Sequence, residues 1–520
     1  MENSKETMFL NANDFTSVNY YATRILMLLE AGGKTIERLT EQQLHILMLY
    51  FYINNPVVNR MVKLKYKLPL SSIFLKKPKV KNQLVQDYVQ NYFNNMMMRI
   101  DLYDTLKLLL KTSLVYGKAY MLIEDNELLD VDSLEDKEND TMKNMSEEEK
   151  NRIEELTNKY NEDSDNISFE EAMEVVKKFM LNYNDDYDGI DKVKALTPFD
   201  IVSEDINRDI NYMQFEIRKS EHITEYIKDN KTKKDEELKS DLIAIGYGQM
   251  FVDKHFEDKT QDTMLIDNDS SNGIWIEPFM LTDLEGENDS EMRAIITDLI
   301  RYESSSKLDN EYSKLREKKT NLIKIPEELG EDTALELESR IKNALDQEGE
   351  TSYVVTNYDV SVEEITFVSN SNSDNKQDVR EESKEHIMIG TGTPDSLLNG
   401  EDSYGSSYVK MEIMNNEFNE IKNSMKKIVE EKIFKVVAKK RGFVTTNVFG
   451  NLSYIFSTLN FEIGSLINTE DFIDKLDSMA DDGYVSKSRI MELRGLDPEE
   501  EFQKIKDERE LAEKMGIELD

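Results

Sequence analysis

Cysteine is absent from this chain of 520 residues. The absence excludes disulfide bonds and thiolate metal sites, and it is typical of a protein made in a reducing compartment. The longest apolar run, LHILMLYFYI at 44–53, has about half of the ~20 residues that a transmembrane helix needs. The N-terminal sequence MENSKETMF lacks the basic segment and apolar core of a secretory signal. We therefore expect a protein that stays inside the cell that makes it and has no membrane partner.

Residue patterns for catalysis are also missing. No HExxH, P-loop or GxSxG sequence occurs, and adjacent acidic pairs such as Asp185–Asp186 and Asp481–Asp482 are expected by chance among 105 acidic residues. The histidines are scattered without ligand spacing. They are His45, His222, His255 and His386. The sequence thus predicts a protein that is not an enzyme, with no metal site and no cofactor.

Basic residues are outnumbered, 65 to 105, which gives a formal net charge of −40. Tight binding to phosphates requires clustered Lys and Arg, so a protein that grips nucleic acid broadly is disfavoured. Two interpretations remain open: a surface that keeps the protein soluble, or one that stays near DNA without adhering to it. The most acidic segment, 124–166, has 17 acidic and five basic residues and is predicted to be a solvated insertion. The most basic segment is 63–81, where the alternation of Leu64, Tyr66 and Leu68 predicts an extended conformation.

The residues that are present predict folded modules. Hydrophobic residues make up 39% of the chain, with 21 Phe and 24 Tyr, and the length suits more than one core. Residues 15–123 have mainly helical spacing, with a helix over 82–110 and then a strand over 114–123 entered through Gly117. Residues 193–280 are predicted to be β-rich, including the run 242–256.

Capping boxes predict where two helices in and after the acidic segment begin. Ser146 with Glu149, and Ser168 with Glu171, have the spacing at which the Ser accepts from the third backbone amide and the Glu accepts from the Ser amide. The second of these helices is amphipathic and is expected to pack against the protein.

The second half alternates charged helices with a small α/β unit. A charged helix over 290–319 precedes strand NLIKIP, a helix over 333–347 and strands SYVVTNY and VEEITFV, and a second charged helix covers 375–389. The loop GTGTPDSLLNGEDSYGSS at 390–407 could be read as a phosphate cradle, but no basic side chain lies nearby, which favours a plain loop. A long helix over 409–440 then has a narrow apolar stripe, for which a coiled coil is an open alternative. The stripe consists of Met414, Phe418, Ile421, Met425, Ile428 and Phe434.

Several segments, in this order, resemble the portal proteins of tailed bacteriophages. They are NPVVNRMVKLKYKLPLS (55–71), SLVYGKAYMLIED (113–125), LTPFDIVSEDINRDINYMQFEIR (196–218), GTGTPDSLLNGEDSYGSSYVKMEIM (390–414) and FIDKLDSMADDGYVSKSRIMELRGLDPEEE (472–501). The similarity is patchy in residues and runs in order across nearly the whole chain. No single motif is diagnostic, so the order of the segments carries the resemblance.

The resemblance implies an α+β, predominantly helical fold that assembles into a ring, with wing, stem, clip and crown regions. The implied boundaries follow the family's order of elements. They are a wing over 1–288 containing the acidic insertion 124–166, a first stem helix over 289–317, a clip over 318–374, a second stem helix over 375–390, a tunnel loop over 391–408, a long wing helix over 409–440 and C-terminal wing and crown helices over 441–520.

The resemblance also implies a function. Such proteins form a homo-oligomeric ring, typically a dodecamer, at one capsid vertex of the virion, and double-stranded DNA passes through it during packaging and ejection. The implied partners are the terminase large subunit, the head-to-tail adaptor proteins, and the major capsid and scaffolding proteins. Two other hypotheses stay open: an acidic cytoplasmic scaffold or adaptor that dimerises through its long helix, and a nuclease or other metal enzyme using the acidic pairs.

Candidate DNA-channel residues lie on the second stem helix and the following loop. Lys376, Arg380 and Lys384 recur at i, i+4 and i+8, so around a ring they would form positive bands in an acidic wall. The alternative is that they pair with acidic neighbours on a solvated helix, namely Asp378, Glu381, Glu382 and Glu385. The loop adds hydroxyls and flexible backbone that could touch phosphates. These loop residues are Ser403, Tyr404, Gly405, Ser406 and Ser407.

Overall fold

The fold consists of helices with several small antiparallel sheets. The computed structural model describes residues 15–30, 35–125, 146–162, 167–180, 183–207, 212–259, 261–281, 290–317, 320–324, 361–365, 371–392, 404–446 and 452–461, with short pieces at 332–333, 335–336, 339, 486–488, 491, 501–506 and 508–509. The predicted helix over 333–347, strand SYVVTNY and C-terminal helices lie largely outside these residues.

The helices vary from one turn to seven. They are α1 (Phe15–Glu30), α2 (Glu41–Asn54), α3 (Pro56–Lys67), α4 (Gln83–Arg99), α5 (Leu102–Tyr116), α6 (Glu147–Glu162), α7 (Phe169–Phe179), α8 (Glu221–Asp229), α9 (Asp235–Ile245), α10 (Gln249–Glu257), α11 (Glu291–Ala294), α12 (Ile296–Glu317), α13 (Ser371–Gly390), α14 (Tyr404–Val429) and α15 (Lys435–Arg441). A π-helical turn, Glu430–Phe434, joins α14 to α15 without a break.

The strands in the described residues form five antiparallel sheets. They are β1 (Ile73–Lys76), β2 (Lys118–Glu124), β3 (Lys192–Leu196), β4 (Ile201–Asn207), β5 (Tyr212–Arg218), β6 (Thr263–Asp267), β7 (Ile274–Met280), β8 (Thr320–Lys324), β9 (Ser361–Ile365), β10 (Val444–Thr446), β11 (Leu452–Tyr454) and β12 (Thr458–Phe461). The strand orders are β3-β2-β7, β4-β5-β6, β1-β12, β10-β11 and β8-β9.

The chain divides into two compact units. The main unit comprises Met1–Ala294 and Gly390–Asp520, and the inserted unit comprises Ile295–Ile389. In the main unit, the side chains of Tyr120 and Leu122 on β2 pack against Phe215 and Ile217 of the neighbouring sheet. Strand β2 is buried along almost its whole length, because helix α5 also packs against it. This buried strand is the centre of the main core.

Local sequence signals set several boundaries. The capping boxes Ser146–Glu149 and Ser168–Glu171 are confirmed, with both the Ser hydroxyl and the Glu carboxylate engaged. Helix α3 begins at Pro56, behind the side chain of Asn55, which accepts from two backbone amides. The predicted strands NLIKIP (321–326) and VEEITFV (362–368) are confirmed in their described parts, which form β8 and β9 and pair with each other.

Gly117 separates helix α5 from strand β2. Its φ of 85° is left-handed, and a Cβ added there would lie 3.0 Å from the backbone nitrogen of Ser290. Only glycine meets both conditions, since other residues strain at this φ and carry a Cβ. The predicted strand over 114–123 was therefore wrong at its start: residues 114–116 end α5, and the strand begins at Lys118. The predicted helix over 82–110 is two helices, broken at Asp101, which has a φ of 49°.

Other corrections follow from burial. The basic segment 63–81 is not extended at its start, because α3 continues to Lys67 and only Ile73–Lys76 is a strand. The run 242–256 is helical: it falls in α9 and α10, whose Leu242 and Val252 pack with Ile223 of α8 into a small separate core. Apolar and aromatic content favoured a strand there, but packing among three short helices buries the same residues.

The later elements also differ in their bounds. The first charged helix is interrupted at Ile295, between α11 and α12, and the second begins at Ser371. The predicted tunnel loop over 391–408 is too long, because α14 begins at Tyr404, and the long helix then runs to Arg441 through the π turn. Residues 393–403 lie outside the described residues.

Candidate functional site

The predicted stem helices pack together within the inserted unit. The guanidinium of Arg380 on α13 lies 5.2 Å from the ring centroid of Tyr302 on α12, and its Nη2 donates to the Tyr302 hydroxyl at 3.3 Å. Nearer the other end, His386 Nδ1 lies 3.4 Å from Asp298 Oδ1. Since later residues of α13 meet earlier residues of α12, the two helices run antiparallel.

The predicted channel residues have different environments in the structure. Arg380 contacts α12, on the same face of α13 as the buried Ser383 and Ile387. Lys384 is half-buried, and Lys376 is helical with its side chain outside the description. Residues 404–407, Tyr404, Gly405, Ser406 and Ser407, form the first turn of α14 rather than a loop, and Ser403 lies outside the described residues. The use of these residues in a DNA channel stays a prediction.

A buried charge cluster that the sequence did not indicate lies in the main unit. Lys65 of α3 is only 1% exposed, and its Nζ lies 2.9 Å and 3.0 Å from the two carboxylate oxygens of Glu291 on α11. The same Nζ also donates to Glu417 of α14. A lysine at this depth requires such partners, because an unpaired buried charge is strongly destabilising.

The electrostatics of Lys65 depend on its two partners. Burial alone lowers the pKa of Lys65, but the charges and hydrogen bonds of Glu291 and Glu417 outweigh this effect and raise its pKa above the usual value. The ammonium group therefore stays charged at neutral pH. Burial raises the pKa of the Glu291 carboxyl, the Lys65 charge opposes this rise, and the neighbouring Glu417 carboxylate adds to it.

The positions of the carboxylates in the chain give the cluster a role. Glu291 lies just before the chain leaves the main unit at Ala294, and Glu417 follows its return at Gly390. Lys65 thus fixes to α3 both segments of the main unit that adjoin the inserted unit in sequence. A signal was present: Lys65 continues the buried face of Val58, Met61 and Val62 at helical spacing, so it occupies a core position.

A second buried ion pair fixes the end of the long helix. Lys440 Nζ lies 2.9 Å from Asp125 Oδ2, with side chains 3% and 1% exposed. The hydroxyl of Tyr187 donates to the same carboxylate oxygen at 2.6 Å. Asp125 is the last described residue before 126–145, in the acidic segment, and Tyr187 follows α7. Asp125 therefore joins the end of the long helix to Tyr187, in the segment that follows α7.

Arg441 reinforces this attachment. Its Nη1 donates to the backbone carbonyls of Asp185 and Tyr187, both at 2.7 Å, and its Nη2 donates to the Tyr183 hydroxyl at 2.8 Å. The guanidinium also lies over the rings of Tyr92 and Tyr183, at 5.1 Å and 4.8 Å from their centroids. These contacts use the planar, delocalised charge of arginine, which a lysine could not reproduce. The acidic pair Asp185–Asp186, considered as a metal site from sequence, supplies Asp185 to this cluster.

A cleft of about 470 Å³ opens beside β4 of the main unit. Among its lining residues, Lys118 pairs with Glu204 at 2.9 Å, and the Tyr120 hydroxyl donates to the same carboxylate. His45 also lines the cleft, and its ring packs against those of Tyr116 and Phe199, with centroids 5.6 Å and 6.1 Å away. Two of the charged residues in the lining, Lys118 and Glu204, thus pair with each other.

Two buried histidines should make stability fall on mild acidification. Burial, with the nearby charges of Lys118 and Arg293, lowers the pKa of His45 to about 4, and burial with Lys219 lowers that of His255 to about 4. Each stays neutral in the fold and binds a proton on unfolding, so its contribution is present above pH ~6.5 and is lost as the pH falls towards 4. The loss reaches about 1.4 kcal/mol per pH unit for each histidine.

The variant His45→Phe isolates the contribution of His45 to this pH dependence, because it keeps an aromatic ring in contact with Tyr116 and Phe199. We expect its denaturant midpoint to fall less steeply than that of the wild type between pH 6.5 and 4, while the carboxylate contributions cancel in the comparison. Equal slopes for the two proteins would show that His45 is protonated within the fold.

The described residues include no group of three or more acidic or histidine side chains placed to hold a metal ion. None of the helices they form is long and apolar enough to cross a membrane.

Similarity to known proteins is found among solved structures. No protein-family model matches the chain, and no curated protein matches it. The chain is similar to a chain in the neck of an empty gene transfer agent particle computed with C6 symmetry, with a TM-score of 0.46, 11% identity, and coverage of 90% of this chain and 96% of that one. It is also similar to a chain in the neck of the native particle computed with C12 symmetry, with a TM-score of 0.41, 10% identity, and coverage of 87% and 93%. A chain of the native gene transfer agent virion gives a TM-score of 0.42 at 10% identity, with coverage of 92% and 99%.

Proposed function

We propose that this chain is the subunit of a portal ring at one capsid vertex of a phage-like particle, where it conducts double-stranded DNA and has no catalytic role. In this proposal the inserted unit contains the stem and clip, and the clip docks the terminase large subunit and later the head-to-tail adaptors. The main unit is the wing, which contacts the capsid and scaffolding proteins.

One observation carries the proposal: the inserted unit Ile295–Ile389 leaves the main unit and returns to it through an antiparallel helix pair. In the sequence, α12 precedes and α13 follows the paired strands β8 and β9. A helix, a small strand-containing unit and a returning helix is the order that the sequence resemblance implies for stem, clip and stem. The cluster at Lys65 lies within the main unit, where it joins α3 to Glu291, shortly before Ala294, and to Glu417 of α14.

The long helix argues against the adaptor hypothesis. Its apolar stripe was a candidate dimerisation seam, yet these side chains are buried by the rest of the same chain. They are Met414, Phe418, Ile421, Met425, Ile428 and Phe434. A second helix could reach this stripe only if the main unit unfolded locally. Coiled-coil dimerisation through it is therefore disfavoured.

Lys376, Arg380 and Lys384 remain our proposed positive bands of the channel. Arg380 would contribute to such a band from a fixed position, because its guanidinium is stacked on Tyr302 of α12. In an otherwise acidic ring, contacts of this kind would be weak and non-specific, which suits a DNA duplex that must slide.

Imaging of the purified full-length chain tests the proposal. We expect closed rings with a central hole in negative stain and a solution mass that is a multiple of 60.6 kDa. Small rods, or a chain that stays monomeric at all concentrations, would contradict a portal. Removal of 318–374 is the matched test of the clip: the main unit should stay soluble while motor docking is lost, and normal packaging by that variant would exclude the clip assignment.

A further inference from the structure

An exposed basic surface lies on two neighbouring helices of the main unit. Helices α3 and α5 together contain six basic residues and one acidic residue, Asp104, in a chain with 105 acidic and 65 basic residues. On α3, Arg60, Lys63 and Lys67 are all exposed, and their spacing of three and four places them on one face. The opposite face of α3 is the buried one that contains Lys65. The basic residues therefore cover the outer side of this helix.

Helix α5 extends the same surface. Lys107 and Lys111 are one turn apart, with their ammonium groups 3.6 Å and 5.1 Å from the ring centroids of Tyr103 and Tyr52. Leu108, between them, is 47% exposed. Burial lowers the pKa of Lys111, and the positive charge of Lys63 lowers it further. Lys63 of α3 and Lys111 of α5 are therefore close enough to repel each other where the two helices pack. We name this set, Arg60, Lys63, Lys67, Lys107 and Lys111 with Leu108, the α3–α5 basic surface.

Three lysines of this surface lack an acidic partner among the described residues. Lys63, Lys67 and Lys111 form no ion pair with any acidic side chain of the described residues, and Lys107 reaches Asp104 only at 3.8 Å. Like charges placed together destabilise a monomer, and an opposite charge from a partner would relieve that repulsion. An exposed leucine among lysines adds apolar area to a contact that charge would orient.

A second copy of this chain offers the complementary charge. Helix α6, in the acidic segment, has Glu148, Glu154 and Glu155 exposed and without a basic partner among the described side chains. A head-to-tail ring requires two different faces that fit each other, whereas a chain of net charge −40 repels its copies wherever acidic faces meet. A basic surface on one subunit facing an acidic helix on the next resolves this conflict.

We propose that the α3–α5 basic surface is a subunit interface that binds the acidic helix α6 of a neighbouring copy. The inference rests on the proposed ring function and specifies which surfaces join the subunits. It gives association a direction, since each subunit contributes its basic surface to one neighbour and its acidic helix to the other.

The test reverses the three exposed charges of α3 in the full chain. We expect Arg60→Glu/Lys63→Glu/Lys67→Glu to raise the concentration at which the assembly dissociates by about 100-fold or more, because like charges then face each other. Analytical ultracentrifugation measures this, and a thermal melt checks that the variant is folded. The matched control is Lys228→Glu/Lys231→Glu/Lys234→Glu, which makes the same change in net charge at other exposed lysines and should assemble like the wild type.

A second experiment reverses the charges on both proposed faces at once. Adding Glu148→Lys/Glu154→Lys/Glu155→Lys to the α3 variant should restore assembly, and failure to do so would overturn the assignment of α6 as the partner. An α3 variant that assembles like the wild type would overturn the proposed interface. If that variant also loses binding to duplex DNA, the surface binds nucleic acid instead. A wild-type chain that never assembles would overturn the proposed ring function itself. That result differs from both a failed charge exchange and an α3 variant that assembles normally.

Discussion

Replacing both carboxylates that face Lys65 is expected to destabilise the main unit by about 3–5 kcal/mol. In Glu291→Gln/Glu417→Gln the lysine keeps its position, 1% exposed, but loses both charged partners. An ammonium group left buried without a counterion must either stay charged at high cost or release its proton. Calorimetry should show the transition of the main unit moving to lower temperature.

Three further variants separate this explanation from a general effect of substitution. Lys65→Met in the double-Gln background should recover most of the lost stability, because no charge then remains buried. Lys65→Met alone should cost less than the double-Gln variant, since Glu291 and Glu417 are 31% and 28% exposed and can be hydrated. Lys228→Met, at an exposed position of α8 away from both clusters, is the control and should change stability by no more than about 0.5 kcal/mol. Simple additivity of these changes would show that Lys65 and its partners do not act as a unit.

The second large effect is expected at the other end of the long helix. Lys440→Met should cost about 3–5 kcal/mol, because Asp125 is then left as a carboxylate that is only 1% exposed. The hydroxyl of Tyr187 still donates to that oxygen but does not neutralise its charge. The loss should appear as faster hydrogen exchange in α15 and β2, measured by mass spectrometry.

Asp125→Asn is the compensating change for this pair. The double variant Asp125→Asn/Lys440→Met keeps an oxygen that can accept from Tyr187 and removes both charges, so most of the stability should return. Lys427→Met, at an exposed position of the same long helix, is the control and should leave exchange unchanged. An equal loss from Lys427→Met and Lys440→Met would assign the effect to the helix as a whole rather than to the ion pair.

The two buried charge clusters of the main unit join residues that are far apart in sequence. Lys65 is separated from Glu291 by 226 positions and from Glu417 by 352, and Lys440 from Asp125 by 315. No periodicity joins such residues, because helix and strand patterns report only near neighbours. The lysine at a core position of α3 was visible, but its two partners could not be chosen from 105 acidic residues.

The candidate channel shows the same limit. The spacing of Lys376, Arg380 and Lys384 predicted a common helix, and residues 371–390 do form one helix, α13. Whether Arg380 extends from that helix or packs depends on what lies opposite, and Tyr302 of α12 lies there. The start of α14 at Tyr404 was likewise missed, because Gly405 and the serines beside it favour a loop by local preference.

The sequence by itself determined the features that depend on neighbours within a few residues. These are the capping boxes at Ser146 and Ser168, the two strands β8 and β9 that lie between charged helices in the sequence, and the long amphipathic helix. Each is fixed by hydrogen bonds or backbone geometry that local residue types control. Tertiary structure decided the rest: that 242–256 is helical, that α3 continues through Lys65, and that Asp125 meets Lys440. In these cases the free energy comes from burial and from charge pairs between distant segments, which outweigh local preference once the core forms.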